Sequence, residues 1–191
     1  SGEIRRFGPA DCRFSYRSSV FKQALRGQYI IISVTFRLSK APVPQTSYKG
    51  LKQALSARGI TDPDIKAVKE VVTAIRRKKL PYPDEVGNAG SFFKNPYLAE
   101  ADFEALQAQF PDVPNFPQPD GRYKVPAAWL IEKAGMKGVH RGRTGTHPDQ
   151  PLVVVNYGGA TGTEIYHMAM EVQEAVEQHF GIQLQPEVRI F

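Results

Sequence analysis

The segment Gly87 to Pro96, GNAGSFFKNP, narrows the folds open to this chain more than any other stretch. Gly87, Ala89 and Gly90 are poor material for a helix or a strand on their own, because glycine loses more backbone freedom on ordering than any other residue. Small residues in that density let another group come close to the backbone. Ser91 stands at the end of this approach, and Phe92, Phe93 and Lys94 follow it directly. The fold must therefore bring a closely approached backbone, one serine and two large rings to the same place.

The rest of the chain alternates between helical and extended signals. Tyr29 to Leu38, YIIISVTFRL, predicts a strand whose β-branched start is buried on both faces and whose alternation after Ser33 gives one wetter face. Lys40 to Tyr48 is proline-rich and extended, and Leu51 to Ala57 forms a short helix closed by Gly59. A linker is expected around Gly59 to Pro63. Asp62 is then an N-cap with Pro63 at the first helical position, and Ile65, Val68, Val72 and Ile75 recur at helical spacing until the PYP after Leu80. A further helix spans Ala99 to Phe110, and Pro111 to Gly121 is a stiff, proline-rich surface loop.

Pro126 opens a short helix ended by Gly135, Lys137 to Gly145 reads as a basic loop, and Pro151 to Asn156 as a buried strand. The last helix is the best punctuated. Thr161 and Glu164 have capping-box spacing, Ile165, Met168, Val172 and Val176 make an apolar stripe, and Gly181 ends it. The methionines on it read as core filler. The interleaving gives an α/β or α+β architecture.

A length of 191 residues is enough for a full core, in one domain or one domain with an appendage. The formal net charge of +6 suits an anionic ligand such as a diphosphate or carboxylate, and it would suit nucleic acid equally. The basic residues are nevertheless dispersed, and no nucleic-acid module or stacking-aromatic platform accompanies them. Arg76, Arg77, Lys78 and Lys79 form the one run, either a solvated face complementing a helix dipole or a phosphate site. Cys12 is alone, which rules out an intrachain disulfide and fits a reducing, cytoplasmic compartment. No apolar run approaches bilayer length and no charged-then-apolar leader opens the sequence, so no membrane partner is expected.

Taken by themselves, the polar residues are reticent. Ser91 lacks the GxSxG or SxxK context of a nucleophile, though its hydroxyl can donate a proton. His140, His147, His167 and His179 lack metal-ligand spacing, so no metal is expected, and GGATG at Gly158 to Gly162 is no P-loop. Glu187 and Arg189 lie at i and i+2 on an expected terminal strand, where pattern alone describes an exposed edge-strand ion pair.

Three separated motifs, YRSS at Tyr16 to Ser19, GNAGSFFKNP and the closing PEVRIF, occur in an order that resembles the C-terminal part of the UDP-N-acetylenolpyruvoylglucosamine reductase family. The resemblance covers nearly the whole chain. It implies an FAD cofactor, NADPH as reductant, and UDP-N-acetylglucosamine enolpyruvate as substrate, in peptidoglycan precursor synthesis. It implies that Ser91 is the general acid delivering a proton to the enolic carbon, with Arg17 and Glu187 polarising the substrate carboxylate and stabilising the enol-like intermediate. Tyr16, Arg17, Ile31 and Arg189 match positions on the flavin side. Tyr48, Lys79, Asn95, Phe116 and Gln150 match positions that hold the UDP part. Where the family pattern reads PNYPQ this chain reads PNFPQ, so Phe116 keeps the ring and drops a hydroxyl.

The family's glycine- and serine-rich pyrophosphate loop has no counterpart in the sequence. Residues 1–62 are accordingly expected to be the end of an FAD-binding α+β region, 63–181 an α/β substrate-binding domain, and 182–191 a terminal strand returning to the flavin side. An N-terminal FAD-binding half of the same enzyme is then the expected partner. A non-catalytic UDP-sugar-binding module is the alternative reading of the chain.

Overall fold

Thr161 and Glu164 act as their spacing predicts. The Glu164 amide donates to the Thr161 hydroxyl at 3.2 Å, and the Glu164 carboxylate accepts from the Thr161 amide at 2.7 Å. The computed structural model describes residues 2–79 and 81–190, with the backbone alone for Lys49 and Lys79. Two compact units result, Ser1–Val43 and Pro44–Phe191.

The second unit holds most of the regular structure. Helices α2 (Lys49–Ser56) and α3 (Ile65–Lys79) pack on each other through Leu51, Leu55 and Val71. Strand β1 (Gly87–Ser91) leads to β2 (Tyr97–Leu98), α4 (Glu100–Gln109), β3 (Phe116–Pro117), β4 (Tyr123–Lys124) and α5 (Ala127–Lys133). Strands β5 (His140–Arg141), β6 (Thr144–Thr146) and β7 (Val153–Asn156) follow, and α6 (Gly162–Phe180) closes the series. One sheet has the order β1-β7-β6-β5 and the other β2-β4-β3. Every pairing in them is antiparallel, so the α/β expectation for 63–181 gives way to α+β: no βαβ crossover joins neighbouring strands.

The main core gathers Phe92 and Phe93, Phe103 and Leu106 of α4, Leu130 and Ile131 of α5, Val154 of β7, and Met168, Val172 and Val176 of α6. Burying side chains of this size stabilises by roughly 1.5–3 kcal/mol each before conformational entropy is counted. Met168 is thus core filler, as read. The expected basic loop at Lys137 to Gly145 instead contains the β5–β6 hairpin. Thr144 and Thr146 are buried in it with their hydroxyls satisfied by the carbonyls of Val155 and Met136. Gly145 is required there, since a Cβ would collide with the Val139 carbonyl and the Tyr157 ring.

The cap of α3 also moves. The Asp64 carboxylate, not that of Asp62, accepts from the Ala67 amide at 2.7 Å. The Val68 amide also donates to the Asp64 carbonyl, so the second aspartate of TDPDI starts the helix. The expected helix end at Leu80 lies outside the described residues.

The first unit is built differently. A short helix, α1 (Pro9–Cys12), and a 3-10 turn at Val20–Lys22 surround edge-to-face contacts of Phe7 with Phe21 and Tyr29 at 5.0 and 5.1 Å. The strand expected at Tyr29 to Leu38 does not form. The segment pairs with no strand among the described residues, and Ile30, Ile32, Val34, Phe36 and Leu38 are exposed. A strand requires a neighbour to satisfy its ladder, and the described residues of the first unit supply none.

Candidate functional site

Ser91 ends β1, a segment too rich in small residues to make a regular strand, and the irregularity fixes where the serine points. Asn88 pairs with Val155 and Ser91 with Val153, so Ala89 and Gly90 together oppose the single Val154. This is a β-bulge, and Gly90 supplies the left-handed backbone it needs at φ 72°. The Asn88 side chain holds it: Oδ1 accepts from the Gly90 amide at 2.9 Å, and Nδ2 donates to the carbonyls of Val86 at 2.8 Å and Pro81 at 3.2 Å. Ser91 is exposed.

Immediately after it the two rings anchor the chain. Phe92 and Phe93 are buried with centroids 5.1 Å apart. Among the described residues the expected terminal strand at 182–191 reduces to one bridge, Phe93 to Pro186, flanked by two backbone bonds. The Lys94 amide donates to Gln185 at 2.9 Å, and the Glu187 amide donates to Phe92 at 2.7 Å. A bend at Val188 stops the ladder there, so the i, i+2 alignment of Glu187 with Arg189 does not follow from strand geometry. Glu187 is half-buried and Arg189 exposed. The structure thus brings the backbone of Glu187 to the residue next to Ser91.

The other expected residues fall into three settings. The Asn95 Oδ1 accepts from the Ala127 amide at 2.9 Å, capping α5 and leaving the amide nitrogen for other contacts. The Gln150 carbonyl accepts from the Val153 amide, so this half-buried residue turns directly into the strand that faces Ser91. Phe116 is half-exposed on β3, with the Lys124 ammonium 4.9 Å from its ring centroid. Tyr97, Lys124 and Phe116 are directly opposite one another across β2-β4-β3 and therefore share one face. The Arg122 guanidinium lies over Tyr97 at 5.0 Å. Tyr48 is exposed at the start of α2. The Lys79 side chain lies outside the described residues.

Tyr16, Arg17 and Ile31 belong to the first unit. Ser15 and Ser18 exchange two backbone bonds of 3.1 Å, and Tyr16 and Arg17 form the turn between them. Arg17 adopts φ 54°, a left-handed conformation that costs a non-glycine residue roughly 1–2 kcal/mol. Its guanidinium lies 5.8 Å from the Tyr16 ring. Ile31 is exposed on the extended segment.

Two residues escaped the sequence reading. Asn88 is masked in the sequence by the small residues around it, although asparagine two places before a glycine is itself a turn signal. Lys124 carries no signal in the sequence, because its significance comes from facing Phe116 across the sheet. The histidines are locally engaged: His147 Nδ1 accepts from the Asp149 amide and His140 stacks on Tyr157 at 4.5 Å. Among the described residues no cluster of three or more histidine, cysteine, aspartate or glutamate side chains could hold a metal. No helix among them is long and apolar enough to cross a membrane.

Residues 81–191 match the family model described as UDP-N-acetylenolpyruvoylglucosamine reductase, C-terminal domain. A protein named UDP-N-acetylenolpyruvoylglucosamine reductase from Amoebophilus asiaticus is 46% identical, aligned over 100% of this chain and 56% of its own length. Proteins of the same name from Burkholderia multivorans and Porphyromonas gingivalis are 48% and 46% identical, over 98% and 99% of this chain and 54% and 56% of theirs. The chain therefore spans a little over half the length of the curated relatives it matches. A solved structure of that name from Thermus caldophilus superposes at a TM-score of 0.39 and 22% identity over 66% of this chain, too loosely to transfer positions.

Proposed function

Since the chain belongs to the UDP-N-acetylenolpyruvoylglucosamine reductase family, we propose that it is the substrate-handling C-terminal part of an NADPH-dependent FAD enzyme. That enzyme reduces the enolpyruvyl ether of UDP-N-acetylglucosamine to the lactyl ether, UDP-N-acetylmuramate, in the cytoplasm. The observation that supports the reading is the pairing of Phe92–Lys94 with Gln185–Glu187, which brings the backbone of the half-buried Glu187 to Phe92, the residue next to the exposed Ser91.

In this reading Ser91 donates the proton that quenches negative charge at the enolic carbon. The fixed cation of Arg17 polarises the carboxylate, and Glu187 holds a donor or proton against the same intermediate. Asn95, Gln150, Tyr48, Lys79 and Phe116 hold the nucleotide sugar. Lys124 joins them, since an ammonium beside an aromatic ring suits a diphosphate next to a base or sugar face.

Exposed backbone near Ile31 supports a place for the ring end of a flavin. The extended backbone through Ile31 keeps its N–H and C=O groups out of any ladder, and its side chains are exposed. Tyr16, Arg17, Ile31 and Arg189 would hold that end. Bound FAD would carry the hydride chemistry, with NADPH as its source.

The Ser91→Ala variant of the full-length enzyme is the test. Flavin reduction by NADPH should proceed at the parental rate, and reoxidation by the enolpyruvyl substrate should slow by about 10²- to 10⁴-fold. Equal reoxidation rates would remove Ser91 from the chemistry. Because the chain is just over half the length of its relatives, a UDP-sugar-binding role without turnover describes the isolated polypeptide. That polypeptide should be colourless and inactive while retaining weak UDP-sugar affinity. Stoichiometric FAD binding by it alone would contradict this.

A further inference from the structure

We infer that Asn88 is a positioning residue for Ser91, holding the bulge that turns the serine hydroxyl away from the protein core and toward the substrate. The inference rests on the function proposed above. Its basis is register. Asn88 opposite Val155, continued without a bulge, would set Ser91 opposite Leu152. Leu152 and Val154 both pack on the main core cluster, so a serine in that register would face α6 and the buried rings. The extra residue moves Ser91 to Val153 and thereby to the other face of the sheet.

Something must keep the bulge closed, since the small side chains of Ala89 and Gly90 contribute little packing. Asn88 does so with all three of its described bonds. Its Oδ1 takes the Gly90 amide, closing an Asx-type turn over the bulge, and its Nδ2 ties the turn to the carbonyls of Val86 and Pro81. The residue is half-buried. A Cβ at Gly90 would meet nothing within 4 Å, so it is the left-handed backbone and not crowding that needs glycine there. The GNAGS pattern is therefore a device for aiming one hydroxyl.

Full-length enzyme carrying Asn88→Ala, Asn88→Asp, Ser91→Ala and the Asn88→Ala/Ser91→Ala pair separates the outcomes. Rapid mixing should show Asn88→Ala slowed in flavin reoxidation by the enolpyruvyl substrate, by up to about 10²-fold for a misplaced proton donor. Asn88→Asp, which keeps the acceptor for Gly90, should recover part of that loss. In the Ser91→Ala background, Asn88→Ala should cost nothing further, because its effect travels through the serine. Hydrogen exchange at the Gly90 amide gives a readout free of turnover: fast in Asn88→Ala, slow in the parent and in Asn88→Asp.

A slow Ser91→Ala with a normal Asn88→Ala would overturn the positioning role and leave the proposed function standing. A normal Ser91→Ala would overturn both. Additive losses in the double variant, or failure of both Asn88 variants to fold, would mean that the asparagine supports the sheet and not the hydroxyl.

Discussion

The segments Tyr29 to Leu38 and Leu152 to Asn156 have nearly the same sequence character and opposite fates. Both are rich in β-branched residues. In the second unit Val153, Val154 and Val155 lie between two antiparallel neighbours and are at most 4% exposed. In the first unit Ile30 and Ile32 are 89% and 71% exposed, on backbone that has no ladder among the described residues. Apolar periodicity therefore reports a demand for burial, and whether it is met depends on strands elsewhere. In the second unit the demand is met internally. In the first it is not met among the described residues.

The largest effect expected from that difference is on stability. Leu130→Ala empties a fully buried position in the main core and should destabilise this chain by about 2–5 kcal/mol, measured by urea unfolding. Ile32→Ala should stay within about 0.5 kcal/mol in the same chain. In the full-length protein Ile32→Ala should rise toward the cost of a core truncation. A small effect of Ile32→Ala in both forms would mean that the segment remains uncovered and would break the comparison.

Legibility of the fold follows the range of the interactions concerned. Helices α4, α5 and α6 were readable because their signals are local: a cap, a stripe and a terminating glycine for α6, and apolar residues bounded by Pro111 for α4 and by Pro126 and Gly135 for α5. β7 was readable as a short apolar run. The β5–β6 hairpin was not, since its buried side chains are threonines whose hydroxyls find partners only in the fold. The bulge at Ala89 and Gly90 was invisible for a related reason, as register is a property of two strands. The motif around Ser91 was legible, and so was the closing PEVRIF. Their backbone pairing could not be derived from either segment, because it joins residues about ninety positions apart in the sequence. The terminal strand expected at 182–191 comes down, among the described residues, to the bridge at Pro186.

A second contrast lies within the second unit, between its core rings and the exposed ring of Phe116. Phe103 stacks on Tyr123 at 4.2 Å, whereas Phe116 is half-exposed beside Lys124. Adding a hydroxyl at the exposed ring has no packing cost to offset. Phe116→Tyr should therefore leave stability unchanged and tighten UDP-sugar binding by about 0.5–1.5 kcal/mol, the worth of one hydrogen bond. Calorimetry decides between this and a purely structural ring. Weaker binding would show that the loop packs its ring against the ligand with no room for the oxygen.

The smallest effect concerns the α6 cap, a polar feature of the unit that is otherwise held by its apolar core. The Thr161 backbone amide, then the Thr161 hydroxyl and the Arg143 guanidinium, hold Glu164 below its ordinary value of 4.5. Arg143 reaches the carboxylate at 3.0 Å. A carboxyl whose folded value is depressed binds its proton more readily when unfolded, so it stabilises the fold above the ordinary value. That contribution declines as pH falls below 4.5 and is gone once pH has passed below the folded value. The site is exposed, so the effect is small and screened by salt. Glu164→Gln keeps an acceptor for the Thr161 amide and removes the titration. Parent and variant unfolding midpoints should thus differ near neutral pH and converge on acidification. Parallel curves across that range would show that the cap acts by hydrogen bonding alone, independently of charge.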